Sequence, residues 1–212
     1  MTRILAYTSP ARGHLYPATA ILLELRDRGH DVVVRTLASE VSMLRGLGLR
    51  ADAVDGRIEA VLQQDWRKRG AQQALKANVA TFVERAQFDG PDLEDAIARE
   101  RPDVVIVDIN SWGALAAAQK WGGPWAAFCP YPMPLPSADV PPFGPGLRPG
   151  RSAGARMRDA VLRPLITGTL ERGMLPGLND GRARMGPPPL AHLTGEFLAP
   201  PLMVYHTAEP FE

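Results

Sequence analysis

The segment YTSPARGHLYPA, residues 7–18, joins a strand-like run to a helix-like run. The apolar run at residues 3–9 predicts a buried strand, because turn-forming residues follow it directly. Residues 17–28 predict a helix, because Pro17 suits a first turn and apolar side chains recur on one face. The segment therefore places a single histidine, His14, in the loop at the carboxyl end of the first strand.

The same alternation of strands and helices continues along the chain. Five further strands are predicted, at residues 31–37, 49–54, 102–109, 124–129 and 202–207. Helices are predicted between them at residues 39–48, 91–100 and 112–122. A further helix is predicted from the spacing of four apolar residues, Leu75, Val79, Phe82 and Val83. This alternation indicates βαβ units, and right-handed crossovers favour an α/β fold with a doubly wound, Rossmann-like parallel sheet. The usual strand order, 3-2-1-4-5-6, makes the first and fourth strands neighbours.

Composition narrows the function classes. The chain has 212 residues, of which 45% are hydrophobic, so we expect a single domain over residues 1–212. The formal net charge of +1 argues against a dedicated nucleic-acid-binding protein. No stretch approaches the roughly 20 apolar residues of a membrane span. The lone cysteine, Cys129, cannot form an internal disulfide, and we expect a cytoplasmic protein.

Several familiar motifs are missing from the sequence. The loop around His14 holds one glycine, so neither the G-x-G-x-x-G nor the G-x-x-x-x-G-K-[ST] phosphate-binding pattern is present. The G-x-S-x-G motif of the α/β-hydrolases does not occur either. The four histidines and the cysteine show no metal-ligand spacing, so we expect neither a metal site nor a bound cofactor.

The predicted topology brings His14 close to an aspartate. Ligands of such sheets bind beyond the carboxyl ends of the strands, where the strand order reverses. His14 follows the first strand and Asp108 ends the fourth, so we expect their side chains to meet. A neutral imidazole oriented by a carboxylate can accept a proton from an attacking hydroxyl. Two simpler interpretations stay open: His14 closes a turn, or Asp108 caps the helix that begins near Trp112.

Two blocks of sequence, residues 11–34 and 102–128, carry a family resemblance. With the G-H-x-x-P element at residues 13–17 and the proline-rich loop that follows, the chain resembles the amino-terminal half of GT-B-fold family 1 glycosyltransferases. It is most similar to bacterial members of natural-product and antibiotic biosynthesis, which decorate macrolides, enediynes and aromatic polyketides. The resemblance covers essentially the whole chain and implies one half of a GT-B fold.

The resemblance implies roles for matching residues. His14 would be the general base that deprotonates the acceptor hydroxyl, and Asp108 would orient it. Arg12 and Gly13 would lie in the loop nearest the donor. The implied reaction is attack of the acceptor hydroxyl on the anomeric carbon of a nucleotide sugar, with inversion. The nucleotide sugar would be a co-substrate, and no cofactor is implied.

The resemblance also implies a missing part. Family members have a carboxy-terminal half that binds the donor, and this sequence ends with TAEPFE, near the expected link to it. We therefore expect an acceptor-binding half that is inactive without its donor-binding half. The alternatives are a natural half of a two-chain enzyme, or a non-catalytic accessory chain that docks a partner through the arginine-rich tract at residues 145–186.

The proline- and glycine-rich segment at residues 130–155 is interpreted as an acceptor loop, with a polyproline linker as the alternative. A small hydrophobic acceptor needs an apolar pocket with few polar groups. The candidate lining residues are Trp66, Phe82, Asn110, Ser111, Trp112, Tyr131, Met133, Phe143 and Met157. For Phe82 and Met157, a place in the core is an equal alternative, because both lie on helical stripes. Pro164 is expected to kink or divide a helix.

Overall fold

The strands form one parallel sheet in the predicted order. The computed structural model describes residues 1–131, 135–137 and 140–206. The strands are β1 (Arg3–Tyr7), β2 (Asp31–Thr36), β3 (Arg50–Ala53), β4 (Val104–Asp108), β5 (Trp125–Cys129) and β6 (Met203–Tyr205). Their order is β3-β2-β1-β4-β5-β6, and every neighbouring pair is parallel. The predicted α/β architecture is therefore confirmed, with β1 and β4 side by side at the point where the order reverses.

Seven α-helices connect or flank the strands in the described part of the chain. They are α1 (Arg12–Asp27), α2 (Val41–Gly46), α3 (Gly56–Ala60), α4 (Ala71–Glu100), α5 (Trp112–Trp121), α6 (Ala153–Met185) and α7 (Thr194–Leu198). Short 3₁₀ turns cover residues 38–40 and 65–67. Because α6 begins at Ala153, the connection predicted at residues 130–155 ends at residue 152.

Helix α1 begins five residues before the predicted start. The backbone N–H groups of His14 and Leu15 both donate to the Ala11 carbonyl at 3.0 Å, so the first turn forms ahead of Pro17. Pro17 then costs only the bond that its missing N–H would have made to the Gly13 carbonyl. The prediction that Pro17 opens the helix is wrong, and His14 lies in the first helical turn rather than in a loop.

Helix breaks at two other prolines are also absent. The helices predicted around residues 75–83 and 91–100 are one helix, α4, with Pro91 inside it. Phe82 before this proline and Leu93 after it are both buried, so packing on both sides holds the helix together. Likewise, Pro164 does not divide α6, which continues for 33 residues.

The core lies on both faces of the sheet, because successive residues of a strand point to opposite sides. On one face, Leu5 and Tyr7 of β1 pack with α4 and α5. On the other face, Ile4 and Ala6 pack with α1 and α2. Strand β1 is thus apolar on both sides, as expected at the centre of a buried parallel sheet.

A close approach of α4 to α5 fixes where α5 begins. A side chain at Gly113, the second residue of α5, would overlap the Asp89 carboxylate and the Ala86 carbonyl of α4. Gly90 of α4 is also crowded, though less severely, by the Met185 side chain and by the Gly113 carbonyl. These two glycines let the helix backbones touch directly beyond the carboxyl end of β4, where Asp108 lies.

Replacement of Gly113 by alanine is expected to destabilise the protein by about 1–3 kcal/mol, because the added methyl group has to displace backbone. Urea unfolding followed by circular dichroism measures this change. Gly154→Ala is the control, because no atom lies within 4 Å of a methyl group added there. It should leave stability unchanged or raise it by up to about 1 kcal/mol. Equal effects of the two substitutions would contradict this account of the α4–α5 contact.

Candidate active site

The carboxyl ends of β1 and β4 bring His14 and Asp108 into contact. The two strands pair in register from Ile4 with Val104 to Tyr7 with Val107. From the end of β1 the chain turns into α1, whose third residue is His14, while Asp108 is the last residue of β4. His14 Nδ1 lies 2.7 Å from Asp108 Oδ2. The contact predicted from the topology is therefore present.

The second carboxylate oxygen of Asp108 also has a partner. Oδ1 accepts a hydrogen bond from the Asn110 backbone N–H at 2.8 Å. The N-terminal cap position of α5 is Ser111, so Asp108 does not cap that helix. Asp108 is 1% exposed, whereas the His14 side chain keeps 14% of its surface accessible. The carboxylate is thus buried behind the imidazole, and the ring faces the open side.

This arrangement selects one tautomer of His14. An ionised carboxylate can only accept hydrogen bonds, so Nδ1 carries the proton in the neutral ring and Nε2 keeps a lone pair. The first turn of α1 carries the positive end of the helix dipole, which disfavours an imidazolium. Asp108 offsets that effect, because its negative charge stabilises a positive charge on the ring.

Two further side chains extend the hydrogen-bond chain from Nε2. The Asn110 amide nitrogen lies 3.2 Å from His14 Nε2 and donates to it, while the Tyr131 hydroxyl donates to Asn110 Oδ1 at 3.0 Å. Burial raises the pKa of the Tyr131 phenol above its usual value, so this hydroxyl remains a donor. The Tyr131 ring also lies edge-on to the imidazole, with centroids 5.7 Å apart. Together these contacts fix the plane of the ring.

His14 lines a cavity of about 360 Å³. This volume lies within the range of small-molecule sites, about 300–1,000 Å³. The wall is largely apolar, with side chains that include Leu75, Phe82, Trp112, Leu170, Met174 and Leu178. Polar groups are few: His14, Gln63, Asn78, Asn110, Tyr131 and Glu196. Such a cavity suits an apolar molecule that carries a small number of polar substituents.

Five of the predicted lining residues reach this cavity: Phe82, Asn110, Trp112, Tyr131 and Phe143. Phe82 also belongs to the core, where its ring packs on Trp112 with centroids 5.1 Å apart. Both interpretations of Phe82 therefore apply. Tyr131 and Phe143 are the contributions of the described part of the proline-rich connection.

Three other predicted residues, Ser111, Trp66 and Met157, do not line the cavity. Ser111 is buried at the start of α5. Trp66 is 73% exposed, because it lies in a 3₁₀ turn where its ring stacks with the Arg67 guanidinium. Met157 is 68% exposed on the outer face of α6, so neither the cavity nor the core contains it. Met133 lies outside the described residues.

Arg12 and Gly13 lie in the first turn of α1, beside His14. Arg12 donates to Glu40 Oε1 at 2.7 Å, across the ends of β1 and β2. Nothing lies within 4 Å of a side chain added at Gly13, so this position faces open space. Their predicted place near the donor stays a prediction.

The far wall of the cavity was not predicted from the sequence. Leu193, Glu196 and Phe197 come from the segment around α7, which has five residues and no apolar repeat. Burial raises the pKa of Glu196 from 4.5 to about 7, and Arg182 only partly offsets this effect. Arg182 Nη1 is 3.6 Å from Glu196 Oε2.

The described residues form neither a metal-ion site nor a membrane-spanning helix. Within residues 1–131, 135–137 and 140–206, no three His, Cys, Asp or Glu side chains are grouped so that they could hold a metal ion. None of the helices in the described ranges combines the length and the apolar character that a bilayer span requires.

The chain is thus an α/β protein with an oriented histidine beside an apolar cavity. No family model matches it. It is 28% identical over 193 residues to 4'-demethylrebeccamycin synthase from Lentzea aerocolonigenes, covering 88% of this chain and 46% of that protein. It is 28% identical over 127 residues to oleandomycin glycosyltransferase from Streptomyces antibioticus, covering 60% of this chain and 29% of that protein.

A solved structure of another glycosyltransferase has a similar fold over nearly the whole of this chain. The glycotransferase of kitacinnamycin superposes with a TM-score of 0.63 at 21% identity, over 96% of this chain and 45% of that one. The predicted resemblance to bacterial natural-product glycosyltransferases and the predicted fold are therefore confirmed. The chain spans less than half the length of these relatives.

The raised pKa of Glu196 predicts a pH dependence of stability. Because the folded-state pKa exceeds the ordinary 4.5, the neutral carboxyl stabilises the fold at low pH, and this contribution is lost as pH rises to about 7. The stability of Glu196→Gln relative to wild type should therefore increase by about 1–3 kcal/mol between about pH 5 and about pH 8. Urea unfolding at both values measures it.

Glu94→Gln is the control, because Glu94 forms an exposed ion pair with Lys120 outside the cavity. Its stability relative to wild type should stay nearly constant between the two pH values. If the stability difference between Glu196→Gln and wild type is equally constant, burial does not raise the pKa of this carboxyl.

Proposed function

We propose that this chain is the acceptor-binding half of an inverting glycosyltransferase. It would hold a hydrophobic natural-product aglycone while a sugar passes to one of its hydroxyl groups from a nucleotide-sugar donor. The observation that carries the proposal is the 2.7 Å contact of His14 Nδ1 with Asp108 Oδ2 in the wall of a 360 Å³ cavity. The relatives support the substrate class, because one is named as an oleandomycin glycosyltransferase.

The geometry supports His14 as the general base. An acceptor hydroxyl in the cavity would replace the Asn110 amide at Nε2, 3.2 Å away, and place its proton on that lone pair. The acceptor oxygen then bonds to the anomeric carbon, the bond from that carbon to the phosphate oxygen breaks, and the nucleoside diphosphate leaves with that electron pair. Attack from the side opposite the leaving group inverts the anomeric centre.

Asp108 stabilises the charge that develops on the ring. Once Nε2 holds the proton, the imidazolium carries a positive charge next to a carboxylate that is 1% exposed. Because little water screens this pair, the attraction is stronger than it would be at the surface. A positioned base of this kind accelerates proton transfer by about 10²- to 10⁴-fold.

The donor would come from a second half-molecule. This chain covers 46% and 29% of two relatives, which leaves room in those proteins for another domain. We infer that a donor-binding half, on the same polypeptide or on a separate chain, completes the enzyme. The described chain alone is expected to bind acceptor without turning it over. Reading the coding region beyond codon 212 identifies which form to express.

Replacement of His14 by alanine is expected to lower kcat of the completed enzyme by about 10²- to 10⁴-fold. Acceptor binding should change little, because the apolar wall is intact. The assay measures product from hydroxylated polycyclic and macrolactone aglycones with dTDP-glucose and UDP-glucose as donors.

His192→Ala is the matched control, since the His192 side chain is exposed, pairs with Glu171 and does not line the cavity. It should leave kcat within about twofold of wild type. Undiminished turnover in His14→Ala would remove His14 as the base and, with it, the basis of the proposed function.

A further inference from the structure

The Glu196 side chain is a buried carboxylate without a hydrogen-bond partner. It is 5% exposed and lines the cavity that also contains His14. Its nearest charged neighbour, Arg182 Nη1, is 3.6 Å away, which is too far for a hydrogen bond. Within the described part of the chain, no donor is hydrogen-bonded to either Glu196 oxygen. A buried acceptor left in this state carries a desolvation penalty that a ligand could relieve.

Arg182 cannot move closer without losing other bonds. Its Nε donates to the Pro188 carbonyl at 2.8 Å, and its Nη2 donates to Gln119 Oε1 at 2.8 Å. These two bonds orient the guanidinium away from an ideal paired geometry with Glu196. Arg182 therefore offsets part of the charge of the carboxylate and leaves its oxygens available to another donor.

The other polar side chains of the cavity wall already bond to one another. Gln63 donates to Asn78 Oδ1 at 3.1 Å. Asn110 joins His14 and Tyr131, as described above. Among the ionisable lining residues that the structure describes, Glu196 is thus the one that the protein leaves without a hydrogen bond, and it shares the cavity wall with apolar residues such as Leu178, Leu193 and Phe197.

We propose that Glu196 accepts a hydrogen bond from a second donor group on the acceptor, a hydroxyl or an N–H distinct from the hydroxyl that His14 deprotonates. The cavity would then select apolar aglycones that carry at least two such groups. Naming the ligand as a sugar acceptor rests on the proposed function. The binding preference itself rests only on the cavity and on a carboxylate that has Arg182 as an ion-pair partner but no hydrogen-bond donor.

The preference is measured with two pairs of rigid probes: naphthalene-2,6-diol against 2-naphthol, and 2,6-dihydroxyanthraquinone against 2-hydroxyanthraquinone. Isothermal titration calorimetry with the 212-residue chain at about pH 8 keeps Glu196 ionised, since its pKa is about 7. In at least one pair, the diol should bind about tenfold more tightly or better, as expected for a hydrogen bond to a charged group.

Two variants separate Glu196 from the rest of the wall. Glu196→Leu should abolish the preference for the diol. Because Glu196→Leu leaves Arg182 buried without a counter-charge, Glu196→Gln provides the second test. It should reduce the preference at least about threefold, because a neutral amide oxygen accepts a weaker hydrogen bond than a carboxylate does. Glu94→Gln, on the outer surface, should keep the full preference.

Three results would overturn the proposal: equal binding of diol and mono-ol by wild type in both pairs, binding of none of the four probes, or a preference that survives in the Glu196 variants. The outcome is independent of catalysis, because the titrations contain no sugar donor and measure binding alone. If the preference depends on Glu196 but the completed enzyme transfers no sugar, the proposed function is contradicted and this inference is still supported.

Discussion

Strands β1 and β4 lie side by side in the sheet, and the geometry of the candidate site depends on this pairing. The register of Tyr7 with Val107 places the two carboxyl ends at one edge. His14 and Asp108, 94 positions apart in sequence, therefore meet at 2.7 Å. The close contact of α4 with α5 supports the same edge, because it fixes where the chain turns after β4. The imidazole is thus oriented by the packing of the whole sheet.

Much of the fold could be predicted from the sequence, because the signals are local. Runs of strand-forming residues bounded by turn residues mark six strands, and their alternation with helices restricts the topology to a parallel, doubly wound sheet. The contact between His14 and Asp108 followed from this topology, since both residues adjoin strand ends at the reversal point. Asn110 and Tyr131 were accessible to the same reasoning, because each follows a strand.

The rest depends on tertiary packing that no local pattern records. Pro17 and Pro91 suggested helix boundaries, yet packing continues both helices through them. The exposure of Trp66 and Met157 depends on which face of its element meets a neighbour, and aromatic or apolar character alone does not determine that. Glu196 was missed because a short helix offers no periodicity, and because its burial against Arg182 joins distant segments.

The central claim is that Asp108 holds His14 with the proton on Nδ1, so that Nε2 can act as the base. Long-range ¹H–¹⁵N NMR of the histidine side chains, in wild type and in Asp108→Asn, tests this claim most directly. The account predicts that neutral His14 has a protonated Nδ1 and an unprotonated Nε2 in wild type, and that Asp108→Asn weakens or reverses this preference. The account would be contradicted if wild-type His14 carries its proton on Nε2, or if the tautomer is the same in wild type and in Asp108→Asn.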